Sequence, residues 1–328
     1  MSKFLILTGC SIDGTVDECS HEEPRKKIEV IDVQNPLNSC SLPEEFPIRL
    51  FDAVGGLTKD GPLLCGGYNL DSDTPSNECF TFQNSKFIAT HVRLLSERYR
   101  ASSVVLPDGE LWIHGGSAKL EKLSSSEIVT LQGSEDGMEI EEANKKHCSM
   151  MINSTTALIT GGKAGQFSYF TYFVNIIDWR WTKGPQMAES RAAHGCAVFM
   201  HNGQNYAIVA GGFNGYGNAG QSYNYLSSTE ILDLNNGILS WKKGPELPVQ
   251  MDHFPLVSTS QGIMAVGGYD YTNGKYKDEL LNMKCEDGKD ISECKWEEYP
   301  KKLDFARSNH VVIPLLASSV IQCNTTLF

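Results

Sequence analysis

Ten cysteines are the residues of this sequence whose type and spacing most directly suggest chemistry. Cys65 stands just before a Gly pair, and Cys79 follows Glu78 in the next apolar run. An antiparallel hairpin that turns near residue 72 would place the two cysteines opposite one another. Cys285 and Cys294 flank one short loop and are similarly placed. We therefore predict two disulfides, Cys65 with Cys79 and Cys285 with Cys294.

The other six cysteines give weaker indications. Cys10 and Cys19 resemble the first pair in their placement and form a third candidate disulfide. The sequence does not assign partners to Cys40, Cys148, Cys196 and Cys323. Reduced core thiols are the alternative interpretation, and without a Cys-x-x-Cys motif nothing favours a zinc site. Disulfides would indicate an oxidising compartment.

Two N-glycosylation sequons, at Asn153 and Asn324, favour the same compartment. Asn153 falls in a predicted hairpin turn, where a glycan could be attached. The apolar stretch 4–7 is shorter than the core of about 7 to 15 residues in a signal peptide, and it is typical of a β-strand. We expect a secreted, extracellular glycoprotein, with a cytoplasmic location as the alternative.

A Gly pair after an apolar run recurs five times, with steps of 49, 46, 50 and 56 residues. The pairs are Gly66–Gly67, Gly115–Gly116, Gly161–Gly162, Gly211–Gly212 and Gly267–Gly268, and 7–9 is a degraded sixth copy. A second mark, an acidic or amide residue before two apolar residues, keeps a similar period. It begins at Glu29, Glu78, Glu127, Asn175, Glu230 and Glu279. Two marks with one period indicate a repeat protein.

The apolar runs within each repeat are short and are bounded by turn pairs such as Asp108-Gly109, which predicts four antiparallel strands per repeat. Trp181, Trp241 and Trp296 open the fourth run in three repeats. A repeat of this length, with a double Gly closing the second strand and a Trp opening the fourth, resembles the kelch repeat. The resemblance covers nearly all of the chain and implies an all-β fold, a six-bladed kelch-type β-propeller.

The predicted propeller is a single domain, 1–328. Its blades are blade 1 (1–47 plus 306–328), blade 2 (48–96), blade 3 (97–143), blade 4 (144–189), blade 5 (190–249) and blade 6 (250–305). Because the chain begins with a second strand, the C-terminal strand must complete blade 1. That pairing would close the ring and remove two exposed sheet edges.

Four histidines, His147, His194, His253 and His310, are predicted to stand at the same place before the innermost strand of their blades. A metal site near the central channel is one hypothesis. Residues on different blades are spread around an axis, however, and the repeat itself accounts for their equivalence. We predict no metal and no cofactor.

Arg98, Arg191 and Arg307 also hold equivalent places, shortly before the innermost strand. One interpretation is a buried salt bridge to the repeated Glu, whose charge would be costly to leave unpaired. The kelch resemblance implies another, in which arginines at this loop edge bind an acidic peptide, and we include the three among the candidate partner-binding residues.

The loops after the Gly pairs of blades 4, 5 and 6 are rich in aromatic residues, and adjacent blades would place them on one face. Tyrosine suits recognition because it offers contact area and a hydroxyl at low entropic cost. The aromatic candidates are Tyr169, Phe213, Tyr216, Tyr223, Tyr269 and Tyr271. In the alternative interpretation many of these rings pack inward, above all Phe170, Tyr172 and Tyr276.

The net charge and the motifs of the sequence exclude several classes of function. The sequence holds 28 Lys and Arg against 40 Asp and Glu, a net charge of -12, which disfavours nucleic acid as a partner. No run of about 18 apolar residues is present, so we expect no membrane insertion. No nucleophile elbow, P-loop or HExxH motif occurs. We predict a monomeric, non-enzymatic propeller that holds a protein segment or a glycan on its loop face.

Two alternatives stay open. Copper-radical sugar oxidases also carry kelch-type blades, but they need a Tyr joined to a Cys and paired His ligands, and the sequence marks out no such cluster. An intracellular kelch adaptor would present clients to a partner module, although no BTB-like or F-box-like helical segment stands out in the sequence.

Overall fold

The computed structural model describes residues 3–10, 26–119, 121–215, 223–235, 239–316 and 321. Regular structure in these ranges is β-strand apart from two 3₁₀ helices, Pro36–Asn38 and Ile291–Glu293. The all-β class expected from the short apolar runs is confirmed, and every strand pairing in the described ranges is antiparallel.

Six four-stranded sheets, numbered 1 to 6 in chain order, make up most of the described chain. Sheet 1 contains Val311–Pro314, Lys3–Leu7, Glu29–Asp32 and Cys40–Ser41; sheet 2 contains Val54–Thr58, Gly61–Cys65, Glu78–Gln83 and Lys86–Arg93; and sheet 3 contains Ser102–Val105, Leu111–His114, Ser126–Val129 and Ser134–Asp136. Sheet 4 contains Cys148–Met151, Thr156–Thr160, Thr171–Asn175 and Arg180–Lys183; sheet 5 contains Gly195–His201, Gln204–Ala210, Thr229–Asp233 and Trp241–Lys243; and sheet 6 contains Leu256–Thr259, Gly262–Val266, Leu280–Lys284 and Lys295–Glu298. Within each sheet the strands are named in the order in which they pair, and the first is called the inner strand.

Three small sheets lie in the connections. They are formed by Leu50–Phe51, Tyr68–Asn69 and Thr74–Pro75; by Phe213–Asn214 and Asn224–Tyr225; and by Met251–Asp252, Tyr269–Asp270 and Lys275–Tyr276. Each contains the segment that follows a Gly pair. They therefore give fixed backbone positions to three of the loops that carry aromatic residues.

The inner strands pack side by side from sheet 1 through sheet 6. Sheet 6 packs back on sheet 1 in one core cluster, where Phe4 and Ile6 meet Met264 and Val266. A cavity of about 420 Å³ lies between inner strands of several sheets, with Ser149 among its lining residues. Successive antiparallel sheets packed in this order are consistent with a β-propeller.

The C-terminal strand pairs with the first strand of the chain, as the sequence predicts. Val311–Pro314 runs antiparallel to Lys3–Leu7, and Leu5 lies opposite Ile313. The two ends of the described chain are thus joined in sheet 1, and the edge of each strand is covered by the other.

Six residues that precede the inner strands form a closed cycle of backbone hydrogen bonds, here called the mouth ring. They are Asp52, Arg100, Lys146, Ala193, His253 and Asn309. Each N–H donates to the carbonyl of the preceding member, and Asp52 donates to Asn309, over 2.8 to 3.1 Å. All six are non-glycine residues in the left-handed region, with φ between 51° and 58°. That conformation costs energy, so the packed sheets must hold the ring in place.

The repeated Glu signature does not keep one structural register, which corrects the equivalence inferred from spacing. Glu29, Glu127 and Glu230 each lie opposite the residue two before a Gly pair or its remnant. The same place holds Phe80 in sheet 2, Tyr172 in sheet 4 and Leu281 in sheet 6. Glu78, Asn175 and Glu279 lie two or three residues away, because the connections between strands differ in length.

The three arginines pair with the three glutamates that share this register. Arg98 lies 2.6 Å from Glu127, Arg191 2.8 Å from Glu230, and Arg307 2.6 Å from Glu29. The arginine side chains are at most 1% exposed, and each also donates to at least two backbone carbonyls. The salt-bridge interpretation is therefore correct. Their assignment as partner-binding residues is wrong, since the side chains are buried and their charge and most of their donors are used inside the sheets.

Sheets 2, 4 and 6 have other residues at the two positions that hold the paired arginine and glutamate in sheets 1, 3 and 5. Leu50 and Phe80 share one core cluster, as do Met251 and Leu281 in another. In sheet 4 Asn144 takes the arginine position and donates to the carbonyl of Gly161 over 2.9 Å. Ion pairs thus alternate around the ring with apolar or polar neutral pairs.

The two predicted disulfides are confirmed, and a third was not foreseen. Cys65–Cys79 and Cys285–Cys294 join residues with Cα atoms 4.1 and 4.3 Å apart. Cys148–Cys196 joins the inner strands of sheets 4 and 5. Cys10 and Cys40 each also take part in a disulfide bond. Cys19 and Cys323 lie outside the described residues, so the predicted Cys10–Cys19 pair stays a prediction.

Candidate functional site

A cavity of about 170 Å³ opens at the mouth ring, and all six ring residues line it. His147, His194 and His310 also line it, each directly after a ring residue. The backbone of the ring is fixed by its hydrogen bonds. The side chains of Asp52, Arg100, Lys146 and Asn309 are partly exposed there, so the ring presents a preorganised polar surface.

Both signs of charge meet at this mouth. Arg100 donates through Nε to Asp52 Oδ2 over 3.0 Å, and Asn309 donates through Nδ2 to Asp52 Oδ1 over 2.7 Å. Burial acts to raise the pKa of Asp52, but the positive charges of Arg100 and Lys146 outweigh it and hold that pKa below its usual value. Asp52 is therefore ionised at neutral pH and offsets part of the cationic charge beside it.

His253 differs from the other ring members because an acidic residue precedes it. Its Nδ1 lies 3.0 Å from Oδ1 of Asp252, close enough for an ion pair but not aligned as a hydrogen bond. Asp252 is fully buried, and neither of its oxygens nor either ring nitrogen of His253 has a hydrogen-bond partner among the described residues. Buried polar groups in this condition require an explanation, such as a bound molecule.

The four histidines predicted to be equivalent divide into two kinds. His147, His194 and His310 share one register after the mouth ring, where sheet 6 has Phe254. His253 lies one residue earlier, within the ring, so its predicted equivalence is wrong. The shift is not visible in the sequence, because His253 lies only one residue from the place that histidine has in three other repeats.

The three remaining histidines are buried and stay neutral. His147 Nε2 lies 2.9 Å from His114 Nδ1, and His194 Nε2 lies 2.8 Å from Thr160 Oγ1. Burial lowers the pKa of His147 to about 4 and holds those of His194 and His310 well below the usual value. Within the described ranges, no group of three or more His, Cys, Asp and Glu side chains could hold a metal ion.

We expect His310→Phe to reduce the loss of stability in acid. The unfolded chain binds a proton at His310 near pH 6.5, but the folded chain does not, so wild-type stability falls as the pH drops below that value. Phenylalanine already occupies the matching place in sheet 6. Urea unfolding between about pH 7 and about pH 4.5 should therefore show the variant gaining on wild type as acid is added. Parallel curves would contradict this expectation.

Seven aromatic rings after the Gly pairs of sheets 4, 5 and 6 form one connected set, here called the aromatic face. Its members are Phe167, Phe213, Tyr223, Tyr225, Tyr271, Tyr269 and Tyr276. The set reaches the mouth ring through Phe213, whose ring centre lies 5.8 Å from His253 and 5.0 Å from Lys146 Nζ. The predicted continuity of these loops is therefore observed.

The individual aromatic candidates do not share one environment. Tyr223, Tyr269 and Tyr271 are half-buried within the aromatic face. Phe213 is only 6% exposed, so its assignment as a surface contact is corrected: it supports the rings around it. Tyr169 is 42% exposed and packs on Phe170, and no ring contact among the described residues joins it to the face. Tyr216 lies outside the described residues.

The three rings for which inward packing is most expected, Phe170, Tyr172 and Tyr276, are all half-buried and have different neighbours. Tyr172 packs against Trp181 within sheet 4. Tyr276 instead joins the aromatic face through Tyr269, with ring centres 5.1 Å apart. The difference arises because Tyr172 lies in a long strand of its sheet, whereas Tyr276 lies in a short strand of a connection.

The sequence does not single out the polar members of the mouth ring other than His253. Asp52, Arg100, Lys146 and Asn309 differ in type, so no repeated letter marks them. Their signal is positional: each lies two residues after the place that holds arginine in three repeats. Tyr99, which lies under the Arg100 guanidinium at 5.0 Å, was missed for the same reason.

The sequon at Asn153 lies in an exposed turn between two strands of sheet 4, as expected for an acceptor site. Its Oδ1 accepts hydrogen bonds from the backbone N–H and the hydroxyl of Thr155. Asn324 lies outside the described residues. No helix in the described part of the chain is both long and apolar enough to cross a membrane.

Comparison with known proteins supports the all-β fold. No family model matches the sequence, and no curated protein matches it. A solved structure described as "Structure of YjhT" superposes with a TM-score of 0.69 at 12% identity, covering 84% of this chain and 91% of that one. At this identity the likeness shows that the two chains share a fold.

Proposed function

We propose that this chain is a six-bladed kelch-type β-propeller that binds a protein segment or a glycan without chemical catalysis. The closed cycle of six backbone hydrogen bonds supports the blade count, since each member precedes the inner strand of one four-stranded sheet. The Gly pairs of sheets 2 to 6 support the kelch assignment, because all their glycines have positive φ at one place in each sheet.

The observation that carries the binding role is the junction of the mouth ring with the aromatic face. Half-buried tyrosines such as Tyr223 and Tyr271 offer apolar area beside a polar cavity, the combination found at recognition sites. A closed scaffold keeps these side chains in place before a partner arrives, which lowers the entropic cost of binding.

An extracellular location is part of the same proposal. Three disulfides in the described ranges favour an oxidising environment, and the exposed Asn153 sequon is compatible with it. We further propose that the domain acts as a monomer.

Tyr223→Ala and Tyr269→Ala are expected to weaken partner binding while leaving the melting temperature nearly unchanged. Each removes a half-buried ring from the aromatic face, and such truncations at binding centres cost about 1 to 2 kcal/mol, or roughly a tenfold loss of affinity. Arrayed glycans and a displayed peptide library would supply the ligand, and Kd would then be compared between variants.

Met200→Ala is the matched control. Met200 is 71% exposed near the end of the first strand of sheet 5, and no ring of the aromatic face contacts it. It should bind like the wild-type protein. If both tyrosine variants also bind like wild type, the aromatic face is not the binding surface.

A further inference from the structure

We propose that the mouth ring binds the terminal pyranose ring of an uncharged glycan. This inference rests on the proposed binding function and selects one of its two partner classes. It follows from the balance of charge in the mouth, the buried groups without partners, the neighbouring aromatic rings and the size of the cavity.

The charge balance favours a neutral ligand. Arg100 and Lys146 contribute positive charge, but Asp52 is hydrogen-bonded to Arg100 and lies in the same cavity. Asp252 places a second carboxylate beside His253. An acidic peptide would therefore meet the carboxylates of Asp52 and Asp252 in the same region as the cations. Adjacent donors and acceptors instead complement vicinal hydroxyl groups, each of which both donates and accepts.

The groups without partners indicate where a hydroxyl would bind. Asp252 is fully buried and His253 is nearly so, yet neither side chain has a hydrogen-bond partner within the described chain. His253 is one of the residues that line the mouth cavity, and Asp252 lies next to its Nδ1. A sugar hydroxyl at Nε2 would supply a partner to that nitrogen, and the neighbouring carboxylate would hold the imidazole in position.

The aromatic face supplies a surface for the apolar side of a sugar ring. Phe213 contacts His253, and Phe213 continues into Tyr225 and Tyr271. A pyranose has C–H groups on its faces and hydroxyls around its edge. We expect its apolar face to contact the half-buried rings of Tyr225 and Tyr271, since Phe213 is too buried to be reached, while its edge reaches the mouth residues.

The size of the cavity limits what can enter. Its volume of about 170 Å³ is below the range that begins at about 300 Å³ for pockets that enclose drug-sized ligands. One small ring fits this description better than an oligosaccharide or a folded peptide. The rest of the glycan would lie outside, over the aromatic face.

The test is an NMR titration of the whole protein, with the imidazole resonances of His253 as the readout. The uncharged probes are the methyl pyranosides of glucose, galactose, mannose and N-acetylglucosamine, and the anionic probes are methyl glucuronide and a glutamate-rich peptide. At least one uncharged pyranoside should shift the His253 signals saturably. Shifts produced only by the anionic probes, or by none, would overturn the proposal.

His253→Asn supplies the mutational arm, because asparagine tolerates the left-handed conformation at this position. We expect about a tenfold or greater loss of pyranoside affinity. His91→Asn, at an exposed outer-strand position of sheet 2, is the control and should bind normally. The wild-type titration keeps the proposal testable if the first variant does not fold.

The same probes separate this inference from the proposed function. A partner whose binding is lost in Tyr269→Ala but is not displaced by any pyranoside would leave the aromatic face as the binding surface. The same result would contradict the proposal that a pyranose binds at the mouth ring.

Discussion

Replacing Arg98 by methionine is expected to lower the free energy of unfolding by about 3 to 5 kcal/mol, because a buried carboxylate would lose its cation. Glu127 is 1% exposed and lies 2.6 Å from the Arg98 guanidinium. It would keep the backbone donors of Leu95 and Ser96, but its charge would be uncompensated in the core. Urea unfolding of the two proteins measures the difference.

A double variant tests whether the charge itself is the cause. Arg98→Leu combined with Glu127→Phe reproduces the Leu50 and Phe80 pair that sheet 2 uses at the same two places. The double variant should be more stable than Arg98→Leu alone or Glu127→Phe alone, since neighbouring substitutions couple by about 0.5 to 3 kcal/mol. Arg180→Met, on a largely exposed side chain, is the control and should change little. Single variants as stable as wild type would show that the buried pair is dispensable.

Removing the Cys148–Cys196 disulfide with two alanines is expected to cost about 4 kcal/mol. The bond spans 48 residues, and its main effect in the chain-entropy model is to restrict the unfolded chain. It also joins the inner strands of two neighbouring sheets. Melting and urea unfolding under non-reducing conditions would measure the loss.

The Cys285–Cys294 disulfide is the matched comparison. It spans only 9 residues within sheet 6, so the same model gives about 2.6 kcal/mol for its removal. The longer bond should therefore be the more stabilising of the two. The reverse order would mean that local geometry outweighs the length of the closed loop.

Features inside one hairpin were predictable from the sequence. Cys65 and Cys79 lie directly opposite each other in neighbouring strands of sheet 2, and the Gly pair and hairpin spacing sufficed to predict their bond. Cys148 and Cys196 belong to different sheets. Their pairing depends on how two sheets pack, which neither spacing nor residue type specifies.

The candidate site was predictable in part. Aromatic residues in neighbouring repeats were expected to meet, and the contacts from Phe167 to Tyr276 show that they do. Matching letters misassigned His253 and Glu279, because connections of different length shift a residue by one or two places. The mouth ring carried no repeated letter at all.

The sequence by itself determined the repeat, the all-β class, the order of strands within each sheet and the pairing of the two chain ends. The first three depend on alternation, turns and spacing between residues near one another in the chain, and the pairing of the ends follows because the first repeat lacks its inner strand. Only the tertiary structure decided the mouth ring, the alternation of buried ion pairs with neutral pairs, and the disulfide between sheets 4 and 5. Those contacts join residues that are distant in the chain, and their existence depends on the angle and distance at which whole sheets pack.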